Sequence, residues 1–177
     1  MMAEFNDIYD RERNRTGRTH RRGTPWQKGE YGLVVCVWVY DGKGKILLTR
    51  RAPQKTAAGT WENSGGAVKA GEDSRTAIAR ELYEETGIQA SPEEFELLDQ
   101  CSDRFTHYDH YCLHRDSGSV KVVLQPGETD GAQWASFEQV HGMIRDKQIC
   151  KIIGKQFLRH EPALLARQHT DELHKMD

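Results

Sequence analysis

Hydrophobic and polar positions divide the chain into short runs, each bounded by turn-forming residues. Gly32 to Tyr40 (GLVVCVWVY) is almost continuously apolar and rich in Val and aromatics, which predicts a buried central strand. Asp41-Gly42-Lys43-Gly44 follows, a turn of the kind that closes a hairpin. Lys45 to Arg51 then reads as the returning strand, with Ile46 and Leu48 on one face and Leu47 on the other. Residues 52 to 65 predict a loop and then a short strand around Trp61. Ser74 to Thr86 predicts a helix, with Gly87 where helices commonly end in a left-handed residue. Beyond Pro92, strand-like runs at Phe95 to Leu98, His107 to His114, Val120 to Gln125 and Gln133 to Ser136 alternate with turn signals. Phe137 to Asp146 and Ile152 to His169 read as helices. This order predicts an α/β fold, a mixed sheet covered by helices on both faces.

Length and charge narrow the picture. A chain of 177 residues suits one domain with a real core and is short for two. The first thirty residues are polar and basic, with Arg11, Arg13, Arg15, Arg18, Arg21 and Arg22 interrupted by a turn at Thr16–Gly17. They read as a solvated hairpin, an N-terminal basic extension (1–30) packing on a domain over 31–170. Lys and Arg total 25 against 27 Asp and Glu, and this near balance argues against generic nucleic-acid binding. Leu33 to Tyr40, the longest apolar stretch, is far too short to span a bilayer, and the N-terminus lacks a signal-peptide core. The expectation is a cytoplasmic protein with no membrane partner. Cys36, Cys101, Cys112 and Cys150 are scattered without a C-x-x-C pair and are expected to be reduced and partly buried.

The helix carries the chemistry. Glu81, Glu84 and Glu85 stand at i, i+3 and i+4, so they share a face with Cβ atoms about 5–6 Å apart. Like charges repel at this spacing, and the last turns of a helix already disfavour negative charge. No Lys or Arg follows on that face. A divalent cation would relieve the crowding, and Mg²⁺ or Mn²⁺ matches these oxygen ligands.

A solvated acidic face is the ordinary explanation of such a helix, but it leaves the surrounding residues unexplained. From Gly66 the chain reads GAVKAGEDSRTAIARELYEETGI, with Gly66, Glu72, Arg80, Glu81, Leu82, Glu84, Glu85, Gly87 and Ile88 at fixed offsets. Every required position of the Nudix box is filled, so the chain resembles the Nudix hydrolases. The resemblance implies an α/β/α sandwich with a central mixed sheet. It implies an enzyme acting on acid anhydrides in phosphorus-containing compounds, cleaving a nucleoside diphosphate-X or a similar small phosphorylated metabolite with Mg²⁺ or Mn²⁺. Glu84 and Glu85 would be the principal metal ligands, helped by Glu81 and the Gly66 carbonyl, while Glu72 and Arg80 would support them, Arg80 pairing a carboxylate and holding helix to loop. A homodimer is common in the family.

Trp61 and the strand-loop LLTRRAPQKT, followed by Gly59, Asn63 and Ser64, resemble a narrower group, the hydrolases allied to type I isopentenyl-diphosphate isomerases. An isomerase is therefore one alternative and a catalytically idle nucleotide sensor another. The isomerases carry a cysteine just after Asn-Ser and then Gly-His, whereas this chain has Gly65, Gly66 and Ala67 and keeps the Glu84–Glu85 pair. His20 could match one isomerase metal ligand, without a second near Gly32.

Arg50, Arg51 and Lys55 are candidates for substrate phosphates. Glu128 and Asp130 are candidates, beside Glu81, for a further ligand or base. His110, Cys112 and His114 alternate on one side of a strand and could ligate zinc, but no fourth ligand is apparent and a strand lining a polar pocket or surface is the ordinary explanation. Trp26, Trp38 and Trp134 are expected in the core rather than as platforms for bases.

Overall fold

A computed structural model describes the chain over residues 3–173, with side chains through 168. Nine strands and three α-helices follow one another among these residues. They are β1 (Phe5–Tyr9), β2 (Arg15–Arg21), β3 (Gly32–Tyr40), β4 (Lys45–Arg51), β5 (Trp61–Glu62), β6 (Ser64–Ala67), α1 (Ser74–Thr86), β7 (Glu96–Ser102), β8 (Thr106–His114), β9 (Thr129–Ser136), α2 (Phe137–Arg145) and α3 (Lys151–Leu173).

β3 is the axis of the mixed sheet. It runs parallel to β8 along its whole length and antiparallel to β6. The expected β3–β4 hairpin holds only at its base, where Tyr40 faces Ile46; Asp41 closes it by accepting the Lys43 and Lys45 N–H groups at 2.8 and 2.9 Å. β4 then leaves β3 and pairs with β9 and β5. The sheet therefore parts beside β3, and the candidate site lies along that parting.

Period-two alternation divides the interior. Val35, Val37, Val39 and Leu47 face α1, which returns Ala77, Ile78 and Leu82. Trp38, Tyr40, Ile46 and Leu48 face α2 and α3, meeting Val140, Met143, Phe157 and Leu164. Ile78 and Leu82 are fully buried, each worth about 1.5–3 kcal/mol. The observed architecture is the expected α/β/α sandwich. No helix among the described residues is long and apolar enough to cross a membrane.

Local chemistry fixes α1. Asp73 caps it, accepting the Arg75 and Thr76 N–H groups at 3.0 Å, and Gly87 ends it at φ 71° with its N–H donating to the Tyr83 carbonyl.

Several expectations need correction. The turn placed at Thr16–Gly17 lies at Asp10–Asn14, where Asp10 accepts the Asn14 N–H and Arg13 takes φ 69°; Gly17 sits within β2. Val120 to Gln125 is not a strand. It finds no partner strand and is held instead by packing of Val120 and Val122 and by Val123 N–H on the Thr86 carbonyl at 2.7 Å. β7 extends to Ser102 and β9 begins at Thr129, because pairing with β8 and β4 carries polar residues the pattern leaves out.

The β1–β2 hairpin is fastened to the rest of the molecule. Tyr9 and Tyr31 exchange backbone hydrogen bonds of 2.9 and 3.0 Å, Asn6 Nδ2 donates to the Val68 carbonyl at 2.7 Å, and Gly71 N–H donates to Asp7. Several of its arginines pair with acids: Arg13 with Asp109, Arg18 with Glu30, Arg22 with Glu4.

Candidate active site

The box residues occupy β6, the turn of residues 68–73, α1 and the two positions that follow it, Gly87 and Ile88. The Glu81 carboxylate rests directly on the backbone of Gly66, so a Cβ there would lie 2.4 Å from Glu81 Cδ. Gly65 is as tightly constrained, because a Cβ would stand 2.3 Å from the Val35 carbonyl oxygen. Gly65 is required by this close approach of backbone, whereas a side chain at position 66 would turn the Glu81 carboxylate aside.

Arg80 fastens helix to turn. It grips Glu72 bidentately, Nε and Nη2 each at 2.8 Å, and Nη2 also donates to the Ala67 carbonyl at 3.4 Å. Burial alone would raise the Glu72 pKa, but this pair and the Lys69 N–H outweigh it and hold the carboxyl below its usual value. Arg80 Nη1 meets Glu81 at 2.7 Å and Glu84 at 3.2 Å. The sequence reading of an acidic face without a compensating cation is thus corrected. The cation precedes Glu81 instead of following it, and Lys69 Nζ stands 4.0 Å from Glu84. Turned onto Arg80, these carboxylates do not converge with Glu85, and among the described residues no three metal-binding side chains gather on one point.

Glu85 has no such help. Burial first, and the charge of Glu62 second, push its carboxyl up to about 8, with Ser64 and the Gly65 N–H offsetting part. Its Oε2 is buried without a hydrogen-bond partner. An orphaned carboxylate oxygen with the acids Glu62 and Glu81 close by fits a hard divalent cation.

These groups open on a strongly polar cleft of about 360 Å³. Gly66, Arg80, Glu81, Glu84 and Glu85 form one wall, and Arg51, Lys55, Glu62 and Glu128 stand in the others. Arg51 Nη1 holds both oxygens of Glu62 at 2.7 and 2.8 Å, and Lys55 pairs with Glu128. Even so, burial raises the Glu62 pKa.

Of the sequence candidates, Arg51, Lys55 and Glu128 are brought together with the box. Arg50 is not. It lies opposite Trp61 in the β4–β5 register and therefore on the other side of the strand from Arg51. There it covers the indole at 5.7 Å and binds Asp130 at 2.7 Å, which takes Asp130 out of the cleft too.

His110, Cys112 and His114 do not form a cluster. His110 stands 4.7 Å from the His160 ring, Cys112 is in the core under α2 and α3, and His114 lies against Tyr40 at 5.4 Å. Trp38 is core, and its Nε1 donates to His160 at 3.1 Å.

Glu62 is a cleft residue the sequence reading omitted. Its signal is present, since Thr49, Arg51 and Glu62 share one side once β4 and β5 are paired. Glu4, Asn6 and Arg22 also line the cleft, carried there by the hairpin, and nothing local in their sequence announces it.

Comparison with known proteins agrees with this geometry. The sequence model of the NUDIX domain matches residues 30–152. A CTP pyrophosphohydrolase of Escherichia coli is 36% identical over 109 residues, covering 60% of this chain and 78% of that protein. An uncharacterised Nudix hydrolase of Listeria monocytogenes is 28% identical over 149 residues, covering 77% and 82%. The crystal structure of a Deinococcus radiodurans protein superposes with a TM-score of 0.73 at 20% identity, over 88% of this chain and 98% of that one, a likeness of fold. With the family's domain matched over most of the chain and the box gathered at one cleft, this protein belongs to the NUDIX family and is a hydrolase of phosphoanhydride bonds.

Proposed function

We propose that the enzyme hydrolyses the pyrophosphate linkage of a nucleoside diphosphate-X or a similar small phosphorylated metabolite, using Mg²⁺ or Mn²⁺. Glu84 and Glu85 would hold the cation, helped by Glu81 and the Gly66 carbonyl, with Glu81 and Glu84 turning from Arg80 towards Glu85 to do so. The observation that carries this reading is Glu85, a half-buried residue whose carboxylate has one buried, unpartnered oxygen and acidic neighbours. Such a charge is costly unless a cation accompanies it. When bound, the cation neutralises phosphate charge and lowers the pKa of the attacking water.

The remaining work falls to the chain's own groups. Arg51 and Lys55 are already in the cleft, each steadied by a carboxylate, and can exchange or share it with a phosphate oxygen. Either Glu81 or Glu128, both in the cleft walls, can accept the water's proton. Glu72 and Arg80 act at one remove, keeping α1 against the turn. Residues 1–30 would be an accessory to the domain over 31–170, and the free cysteines suit a reducing cytoplasm.

The isomerase alternative needs a side chain at position 65, where a Cβ would collide with the Val35 carbonyl oxygen. A panel of nucleoside diphosphate-X compounds, assayed for phosphoanhydride cleavage with Mg²⁺ or Mn²⁺ and again in excess EDTA, tests the proposal. Turnover abolished by EDTA is expected. Undiminished turnover would defeat the metal assignment, and metal-dependent binding without turnover would favour the sensor.

A further inference from the structure

The cleft does not end at the box. A second recess of about 200 Å³ lies between the hairpin and β3, and Asn6, Arg22 and Ala67 line both spaces. The cleft is lined by charged and small residues, and among the described residues none of its lining carries an aromatic ring. The recess is different: His20, Trp26, Leu33 and Val34 line it. Buried His20 stacks on the Trp26 indole with centroids 3.7 Å apart and planes 10° from parallel. The indole packs so closely on β3 that a Cβ on Gly32 would stand 2.8 Å from it. Sites enclosing a whole drug-sized ligand measure roughly 300–1,000 Å³, so this recess suits a fragment such as a single ring system.

Arg22 stands at the junction. Its guanidinium pairs with Glu4 and is largely exposed, 66% for the side chain of Arg22 and 46% for that of Glu4. An exposed pair of this kind contributes little to stability, so a phosphate can replace Glu4 at small cost. Asn6, by contrast, is committed to the Val68 carbonyl and serves as a fixed wall.

We propose that the N-terminal hairpin completes the substrate site: Arg22 binds a substrate phosphate at the mouth of the cleft, in exchange for Glu4, and the recess beyond takes an aromatic ring of the nucleobase class against Trp26. This rests on the pyrophosphohydrolase reading and adds to it the residues that select the substrate.

Two unhydrolysable probes separate the parts, α,β-methylene-ADP and methylenediphosphonate, each titrated calorimetrically into the whole protein with Mg²⁺. The wild type is expected to bind the ADP analogue more tightly than the diphosphonate. Trp26→Ala should weaken the ADP analogue about tenfold and leave the diphosphonate within twofold. Trp26→Leu, which keeps bulk against Gly32 without a ring, should do the same if the alanine variant folds poorly. Arg22→Ala should weaken both probes, and Arg22→Lys should restore part of the loss. Glu4→Gln should tighten both, since it removes the competitor for Arg22, and should have no effect in an Arg22→Ala background. A merely structural ion pair predicts instead that Glu4→Gln and Arg22→Ala weaken binding alike, and that result would overturn the assignment of Arg22. Equal binding of the two probes by the wild type, or Trp26 variants that weaken both equally, would overturn the ring subsite. Failure of the underlying reading looks different: neither probe binds and no phosphoanhydride is cleaved.

Discussion

Glu85→Gln separates the stability of this protein from its chemistry. Repulsion along one face of α1 would be worth only a few tenths of a kcal/mol. The structure makes the effect larger, because Glu85 is half-buried with one carboxylate oxygen fully enclosed, and its carboxyl is pushed up to about 8 from an ordinary 4.5. Between those two values the folded protein keeps a proton that the unfolded chain has lost, so metal-free stability falls as pH rises from about 4.5 to about 8 and then levels off. At pH 7 the window covers about 2.5 units, or about 3 kcal/mol. Gln keeps the shape and removes the charge. Metal-free Glu85→Gln should therefore melt about 6–12 °C above the parent at pH 7, with the gap closing towards pH 4.5. Turnover with Mg²⁺ should nonetheless fall by two or more orders of magnitude. Thermal melts from pH 4.5 to 8.5 with and without Mg²⁺, and a rate for each protein, decide the matter. A variant that melts no higher than the parent at pH 8, or that keeps near-normal turnover, would refute the reasoning.

Other positions give contrasting outcomes. Glu72→Gln breaks one arm of the Arg80 grip, so it should lower both the melting temperature, by about 1–3 kcal/mol of stability, and the rate, in contrast to Glu85→Gln; equal melting temperatures would exclude the tie. Gly66→Ala should displace the Glu81 carboxylate from Arg80, costing only about 0.5–1.5 kcal/mol but most of the activity, as denaturant midpoints and rates will report. Arg50→Ala should change kcat/KM less than about threefold, whereas Lys55→Ala should raise KM about tenfold; steady-state kinetics on one substrate compares them, and the reverse order would place the phosphate site on the other side of β4.

Much of this site was legible because its signals are local. Asp73 and Gly87 mark the ends of α1 within the sequence, and the resemblance to the box implied a carboxylate partner for Arg80, which the structure identifies as Glu72. The alternation in Lys45 to Arg51 correctly sent Ile46 and Leu48 to one core and Leu47 to the other. The same alternation, applied one step further, separates Arg50 from Arg51, but only when β5 is known to lie beside β4. Val120 to Gln125 shows the opposite failure. Its apolar residues are real core contacts, yet a strand also needs a neighbour to bond to, and composition does not supply one. Glu4 and Arg22 were invisible for a related reason, since a tertiary hydrogen bond from Asn6 to Val68, sixty-two residues on, brings their hairpin to the cleft.

The pairing of β4 with β9 has a consequence for synthesis of the chain. The whole box has been made once Ile88 leaves the ribosome, but the cleft has not. Ala52 N–H donates to the Glu128 carbonyl, β4 waits for residues 129–136 to complete its ladder, and Trp61, beside Glu62, donates its N–H to Gln148. A nascent chain halted before about residue 150 therefore carries every carboxylate of α1 without the walls that give them their environment. Such long-range closures form late and slowly. Binding competence should appear in one step as the last helix emerges, which makes a tethered ligand a reporter of when the fold closes.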